Sequence, residues 1–325
     1  MVEYSFMVSI HCMTYNQSEY IIDAMNGFTI QQTNFPFLTL VFDDASTDGE
    51  QEVIKTYVNE HFDHTEETGF KQWETEDACY TFARHQENEN CYFMVAYLKK
   101  NLYRNPRKRK LIKDWDDTAK YIALCEGDDY WTDPLKLQKQ VDFLEEHEDY
   151  AMCFTNCIVN NAGKESYGNV FIWDTYTTED MLLHNSLDMI KRRDHVVSPG
   201  HTSTILYRNP NEPRPEWISK CFIGDEPLFI ALSKYGKAKF INEATSVYRQ
   251  GVGTSSRDFS FERDNYNRVK MYQIIDEGLG WQYHRLISSK IIARYYKKLI
   301  RIAWGEKRYF KCAGYFAQFL RSKIA

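Results

Sequence analysis

Three carboxylates, Glu126, Asp128 and Asp129, follow directly on a short apolar run, Ile122 to Cys125. Such a run reads as a buried strand, and open α/β sheets bind ligands outside the carboxyl ends of their strands. Three acids at one strand tip repel each other unless a cation or a hydrogen-bond network offsets them. A hard divalent cation with oxygen ligands, shared with phosphate, is the offset that suits this tip. The same residues also read as an acidic turn before a helix, because Asp133 followed by Pro134 is a helix start signal.

Two further groups stand at strand ends. Asp43 and Asp44 close an apolar run at 37–42, and Thr14, Tyr15 and Asn16 follow one at 6–10. In a parallel sheet all three groups face one crevice. A tyrosine can stack on a base, and an aspartate can accept hydrogen bonds from a base or ribose. Together these parts could hold a nucleoside diphosphate and its metal, although acids at strand ends also serve as turns and helix caps. A fourth group, Gly224, Asp225 and Glu226, precedes a helical pattern. There Asp225 reads either as a helix N-cap or as a general base.

The elements that must position these residues alternate strand and helix. Strands are expected at 6–10 and 37–42, with helices at 18–31, capped by Ser18, and at 51–62. This is the βαβ pattern of a mostly parallel sheet. Residues 63–118 read as an insertion with one buried strand near 92–98, acidic at 63–77 and carrying five bases in 104–110. Beyond it come a strand at 121–125, a helix at 134–146, a strand at 152–159, and short helices at 178–184 and 187–192. A strand at 202–207, a helix at 226–235 and a last strand at 239–248 complete the set. From about 262 the pattern is helical throughout.

Bulk properties narrow the class. A chain of 325 residues with 43% hydrophobic and 26% charged content is an ordinary globular composition with ample core. The 23 Tyr, 20 Phe and 7 Trp suit ring stacking on sugars or bases, but packing accounts for most of them. None of the eight cysteines forms a Cys-x-x-Cys pair, which argues against a zinc ribbon or redox dithiol. No signal-peptide pattern and no stretch of ~18 apolar residues is present, so a cytoplasmic location is the expectation. The net charge of −6 is unevenly spread. Residues 281–325 hold eleven Lys and Arg against one acid, Glu306, a balance of +10 that leaves −16 on the rest. Ile287, Ile291, Tyr295, Leu299 and Ile302 recur there at helical spacing with Arg294, Lys297, Lys298 and Arg301 between them. That basic amphipathic stretch reads either as a helix docked on its own domain or as a contact with an anionic membrane surface.

The order and spacing of these motifs resemble the inverting family 2 glycosyltransferases of GT-A fold, of the bacterial type that builds capsular and surface polysaccharides. The resemblance covers about residues 5–255. Its carriers are Val8 to Asn16, Val41 to Gly49, Tyr121 to Trp131, Asp133 to Gln140, Gly224 to Glu226, and Tyr248 with Arg249. It implies that Tyr15 packs on a nucleobase, with Thr14 and Asn16 shaping the pocket. Asp44 matches the acid that hydrogen-bonds the base, usually uracil. Glu126, Gly127 and Asp128 match the family's Asp-x-Asp. Asp128 is then the ligand of Mn²⁺ or Mg²⁺, and Glu126 lies near ribose or metal. Asp225 matches the catalytic base, while Trp131, His201, Glu226 and Arg249 are candidates for the acceptor side. The implied partners are a nucleoside-diphosphate sugar and a glycan or lipid-linked acceptor, with no nucleic acid.

Departures from the family pattern are visible. Glu126 replaces the usual Asp, no His follows Tyr248 and Arg249, and the diphosphate-contacting base is unassigned, with Arg104 and Lys108 as candidates. A GT-A-like α/β catalytic domain over 1–258, with a mostly parallel central sheet flanked by helices, is therefore expected ahead of a helical segment at 259–325. Two alternatives are a sugar-nucleotide nucleotidyltransferase and a non-catalytic nucleotide-sugar-binding subunit. The former favours a Gly-rich phosphate loop, whereas residues 13–19 contain no Gly.

Overall fold

The structure is a computed structural model that describes residues 5–103, 105–167, 174–186, 200–210, 212–252 and 260–324. It divides into two compact units. The first comprises Met1–Thr175, Met189–Asn211 and Tyr235–Gly253, and the second Tyr176–Asp188, Glu212–Lys234 and Thr254–Ala325. The second unit is therefore more than the C-terminal segment: it draws in two earlier stretches, one of which carries Asp225. The helix expected at 187–192 lies outside the described residues.

The first unit is built on one mixed sheet. Its strands are β1 (Phe6–Thr14), β2 (Phe37–Asp43), β3 (Lys71–Glu74), β4 (Ala78–Arg84), β5 (Cys91–Leu98), β6 (Ala119–Leu124), β7 (Tyr130–Trp131), β8 (Tyr150–Asn161), β9 (Lys164–Tyr167), β11 (Ile205–Arg208) and β12 (Lys237–Arg249), while β10 (Thr175–Tyr176) is a two-residue strand at its border. The order β12-β8-β11-β6-β1-β2-β5-β4-β3 runs across the sheet. Strands β6, β1, β2 and β5 form its parallel centre. β12 also runs parallel to β8, and β11 is inserted antiparallel between β8 and β6.

Each central strand is covered on both faces, so its apolar run is continuous. In β2, Phe37 and Val41 enter one core cluster, and Leu38, Leu40 and Phe42 enter another on the opposite face. Helix α1 (Ile21–Thr29) lays Ile21, Ala24, Met25 and Phe28 on the first cluster, a spacing that puts all four on one side of a helix. Helices α2 (Glu50–His61), α3 (Pro106–Asp116) and α4 (Lys136–Glu146) complete the layers.

Two local expectations are corrected. Ser18 does not cap α1, which starts at Ile21; its N–H is taken by Asp48 Oδ2 at 3.0 Å. The region 63–118 is more ordered than an insertion with one strand. β3 and β4 form a hairpin on the edge of β5, and α3 leads back into β6.

The second unit is helical, with α5 (Thr178–Ser186), α6 (Asp225–Leu232), α7 (Phe261–Gly278), α8 (His284–Leu286), a π-helical stretch Ile287–Ile292, α9 (Ala293–Gly305) and α10 (Tyr309–Ile324). Ile287, Ile291, Tyr295 and Leu299 are buried in its core beside Val269, Tyr272 and Ile275 of α7. Four of the five residues of the apolar stripe read from the sequence are thus covered by the protein itself, and Ile302 is half-buried. No helix among the described residues is long and apolar enough to cross a membrane.

Candidate functional site

The parallel pairing brings four strand ends to one edge of the first unit. Thr14 stands opposite Asp43, Asp43 opposite Tyr97, and His11 opposite Leu124. The loops leaving this edge are stitched to it through backbone bonds. Asp44 N–H donates to Thr14 O at 3.0 Å, Cys125 N–H to His11 O at 3.0 Å, and Gly127 N–H to Met13 O at 3.3 Å. Thr14, Asp44, Glu126, Gly127 and Asp128 therefore share this edge. Gly127 has a steric reason to be glycine: a Cβ there would stand 2.5 Å from Thr14 Oγ1 and 2.7 Å from Gln17 Oε1.

The acids at this edge differ in environment. Glu126 is exposed, whereas Asp128 and Asp129 are buried. Burial pushes the Asp128 carboxyl up, against the pull of the Arg249 charge and a hydrogen bond from Gln17. Asp129 is raised well above the usual carboxylate range, first by burial and then by repulsion from Asp128. One cation braces the pair. Arg249 donates its N–H to Asp129 Oδ1 at 2.9 Å and Nη1–H to the Asp128 carbonyl at 2.9 Å. It also pairs with Asp23 and lies over the Tyr130 and Tyr20 rings, 4.4 Å and 5.1 Å from their centroids. β12 delivers it there, because Ser246 and Val247 pair with Trp131 and Tyr130 of β7. Arg249, expected on the acceptor side, is thus a brace for the acidic loop.

Asp44 is almost fully enclosed. Its Oδ2 meets Lys108 Nζ at 3.0 Å, its Oδ1 accepts Leu102 N–H at 2.5 Å, and its carbonyl accepts Asn101 Nδ2–H at 2.9 Å. The segment between β5 and α3 thereby folds onto the acid expected to face a base, and Lys108 stands at the same edge. Arg104 lies outside the described residues. Tyr15 is half-buried. Asn16 adopts a left-handed φ of 54°, and its Oδ1 accepts Thr47 N–H at 2.8 Å, which ties the loops after β1 and β2 together.

Glu50 was missed by the sequence reading. It is the first residue of α2 and is wholly buried. Its Oε2 accepts Gln17 N–H at 3.0 Å and the Ser46 hydroxyl at 2.8 Å, and its Oε1 contacts the Thr14 hydroxyl. That hydroxyl also reaches Gln17 Oε1 at 2.8 Å. A hydroxyl has one proton, so it cannot donate to both oxygens. A protonated Glu50 resolves the conflict by donating to Thr14. Its carboxyl is accordingly raised, burial outweighing the hydrogen bonds it accepts. In sequence, an acid just inside a helix start reads only as a complement to the helix dipole, which hides this role.

Three other candidates are placed differently from expectation. Trp131 is a core residue: its ring meets Phe28 edge-on at 5.1 Å, and its Nε1–H donates to Ser203 O at 2.8 Å. His201 is buried and stacked on Tyr248 with centroids 4.2 Å apart, and burial pushes its pKa down to about 4. It is a neutral imidazole at physiological pH. Glu226 is buried in the second unit, paired with Arg268 Nη1 at 2.9 Å and accepting the Tyr272 hydroxyl at 2.5 Å. Trp131 and Glu226 are therefore packing and pairing residues rather than an open acceptor surface. Asp225 also belongs to the second unit, is half-exposed, and opens α6 after Gly224. It does not cap that helix; its Oδ1 accepts Glu226 N–H at 2.8 Å.

The donor set at the first unit's edge fits a divalent cation. Among the described residues no three His, Cys, Asp or Glu side chains form a closed metal cage. A buried carboxylate with one neighbouring acid instead suits a hard cation that completes its shell with phosphate and water.

This is the GT-A-like α/β class expected from the sequence, with a mostly parallel central sheet and a helical C-terminal part. The chain superposes on TarS of S. aureus residues 1–349, solved with UDP, at a TM-score of 0.51 and 14% identity, covering 98% of this chain and 89% of that one. A longer TarS structure gives a TM-score of 0.50 at 13% identity, covering 98% and 54%. In sequence, the uncharacterized proteins Rv1520 of Mycobacterium tuberculosis and Mb1547 of Mycobacterium bovis are each 32% identical over 246 residues. The match covers 75% of this chain and 58% of each relative, so the chain spans little more than half the length of these proteins. No family model matches the sequence.

Proposed function

We propose that the chain is an inverting glycosyltransferase that uses Mn²⁺ or Mg²⁺ and a nucleoside-diphosphate sugar, uridine-linked, to glycosylate a hydroxyl of a glycan or lipid-linked acceptor. Bacterial surface-polysaccharide synthesis is the setting that the sequence resemblance suggests. The observation that carries the reading is the gathering of Thr14, Asp44, Glu126, Gly127 and Asp128 at the C-terminal edge of four parallel strands. The fold shared with TarS, solved with UDP, supports it.

In this reading Asp128, with Glu126 beside it, holds the cation. The cation supplies Lewis-acid stabilisation of the leaving diphosphate when bound. Tyr15 stacks on the base, and Asp44 accepts from it once Leu102 N–H or Lys108 yields a carboxylate oxygen. Lys108 then stands free to face phosphate. Asp225 takes the proton of the acceptor hydroxyl as its oxygen bonds the anomeric carbon and the bond to the diphosphate breaks. A base of this kind contributes ~10²–10⁴-fold. Glu226 is neutralised by Arg268, which leaves Asp225 as the available carboxylate of the pair.

The test is a hydrolysis and transfer screen over UDP-, GDP- and dTDP-sugars with Mn²⁺ or Mg²⁺. Release of nucleoside diphosphate from one donor, lost in Asp128→Asn, is expected. Release of pyrophosphate from a sugar phosphate and a nucleoside triphosphate would replace this reading with nucleotidyl transfer.

A further inference from the structure

Helix α10 is apolar on two opposite sides, and its own unit covers only one. The inner side carries Tyr315 and Phe319, packed on the core of the second unit. Ser322 lies on the same side, its carbonyl accepting the Ser288 hydroxyl at 2.9 Å. The outer side carries Phe310, Ala313, Ala317, Leu320 and Ile324, all exposed and spaced three and four apart, which lines them along one face. Phe310 is 98% exposed, Ile324 87%, Phe316 50% and Leu320 46%. Trp304 and Tyr309, at the turn from α9, add two more exposed rings at 65% and 57%. Single exposed apolar residues are ordinary, but a contiguous run of this kind marks a contact surface.

Charge identifies the occupant. The patch lies within residues 281–325, which carry +10 while the remainder of the chain carries −16. Lys307 and Arg321 flank the apolar face in sequence and are exposed, while Lys311 pairs with Glu262 at 2.9 Å and Lys323 donates to Ser289 O at 2.5 Å. Pairing this face with its copy in a second chain would bring two strongly basic segments together, which repulsion disfavours. The face is also a single helix side about 24 Å long, at 1.5 Å per residue. A flat layer can cover it without a matching groove. An apolar face edged by Lys and Arg with aromatic rings at one end is the composition of a helix lying in a lipid interface.

We propose that the outer face of α10 docks on an anionic phospholipid surface, with Phe310, Leu320 and Ile324 inserted among acyl chains and the flanking bases against the headgroup phosphates. This goes beyond the proposed transferase activity and stands without it.

The test is sedimentation of the full chain with vesicles of phosphatidylcholine alone and of phosphatidylcholine mixed with equal parts of phosphatidylglycerol. Binding to the anionic vesicles only, weakening with salt, is expected. A triple replacement, Phe310→Ser with Leu320→Ser and Ile324→Ser, should lower the partition at least about tenfold, given ~0.8 kcal/mol per buried CH₂. Arg321→Glu with Lys307→Glu should also lower it about tenfold or more, at ~1 kcal/mol per basic residue near an anionic surface. Ile324→Ser alone, at the last turn, gives a variant whose fold is not in question, and its partition should fall measurably. Equal binding by wild type and variants, or equal binding to both vesicle types, overturns the proposal. So does a concentration-dependent dimer in vesicle-free solution that the triple replacement abolishes, because it assigns the face to a second copy.

Discussion

Replacing Glu50 by Ala and, separately, by Gln tests whether this buried carboxyl holds the nucleotide-side loops together. Glu50 joins the loop after β1, through Thr14 and Gln17, to the loop after β2, through Ser46. Ala removes all three contacts and leaves Gln17 N–H without its acceptor. A buried donor left unsatisfied costs ~1–3 kcal/mol, and an emptied glutamate site adds lost packing. We therefore expect Glu50→Ala to lose about 2–4 kcal/mol of stability. Gln behaves differently. Its Nε2–H₂ can donate to Thr14 Oγ1, which then donates to Gln17 Oε1, while its Oε1 still accepts from Gln17 N–H and Ser46. Gln thus reproduces the protonated form of Glu50, and its cost should stay under about 1 kcal/mol.

The pH dependence has a definite sign. Burial raises the folded-state pKa of Glu50, so the folded chain holds this proton more tightly than the unfolded chain. The resulting stabilisation is present below the unfolded pKa and is lost as pH rises through the folded one. Glu50→Gln removes this term, so wild type should lose stability relative to the Gln variant as pH rises across that interval. Chemical denaturation at several pH values measures both effects, and calorimetry with UDP reads the loops directly. Wild-type stability and UDP affinity in Glu50→Ala would refute the bridging role and leave Glu50 as an ordinary helix-start acid.

Further tests address other residues. Asp225→Asn should leave donor affinity within about twofold and lower transfer by ~10²–10⁴-fold in single-turnover assays; a collapse of donor affinity would show that Asp225 binds the donor instead. Arg249→Lys keeps the charge but loses the planar fork that reaches Asp128 O and Asp23. It should weaken donor binding about tenfold or more and loosen residues 126–130 by hydrogen exchange. A thiol reagent on the native chain should modify Cys79 first, since it is exposed. Cys12, Cys91, Cys125, Cys153 and Cys157 are buried with thiols raised by burial and should react only on unfolding; early loss of any of these five thiols would contradict the packing described.

Legibility in the sequence followed the strength of local signals. Strand ends that couple an apolar run to acids were readable because both halves of the signal are local: Phe42 before Asp43, and Ile122 to Cys125 before Glu126. The hairpin of β3 and β4 was not, because β3 is exposed at every position and so has no alternation to read. Helical spacing of Ile287, Ile291, Tyr295 and Leu299 was equally plain, but spacing says that a face is covered without saying by what. Here the cover is α7. Residue type also failed to give direction. Glu226 looked like a companion to Asp225 until Arg268, forty-two residues on, was found beside it. Arg249 looked free until the acids of a loop more than a hundred residues earlier took its donors.

The charge balance of the sheet edge bears on the proposed cation. Asp43, Asp44, Glu50, Glu126, Asp128 and Asp129 all stand at or beside the ends of β1, β2 and β6; Lys108 pairs with Asp44, and Arg249 donates to the Asp128 carbonyl and to Asp129. Burial raises the Glu50 carboxyl, which favours its neutral form, and Arg249 braces the Asp128 and Asp129 loop. Acids outnumber these two cations in a partly buried place, where screening by water is weak. A diphosphate would add more of the same sign and be repelled. In the proposed reading an anionic ligand is favoured when a divalent cation arrives with it, and Asp128, buried and raised in pKa, gains from that neutralisation. Nucleotide affinity should accordingly rise steeply on adding Mn²⁺ or Mg²⁺ and change little on adding Na⁺ at equal ionic strength. Metal-independent nucleotide binding would mean that the phosphates lie elsewhere.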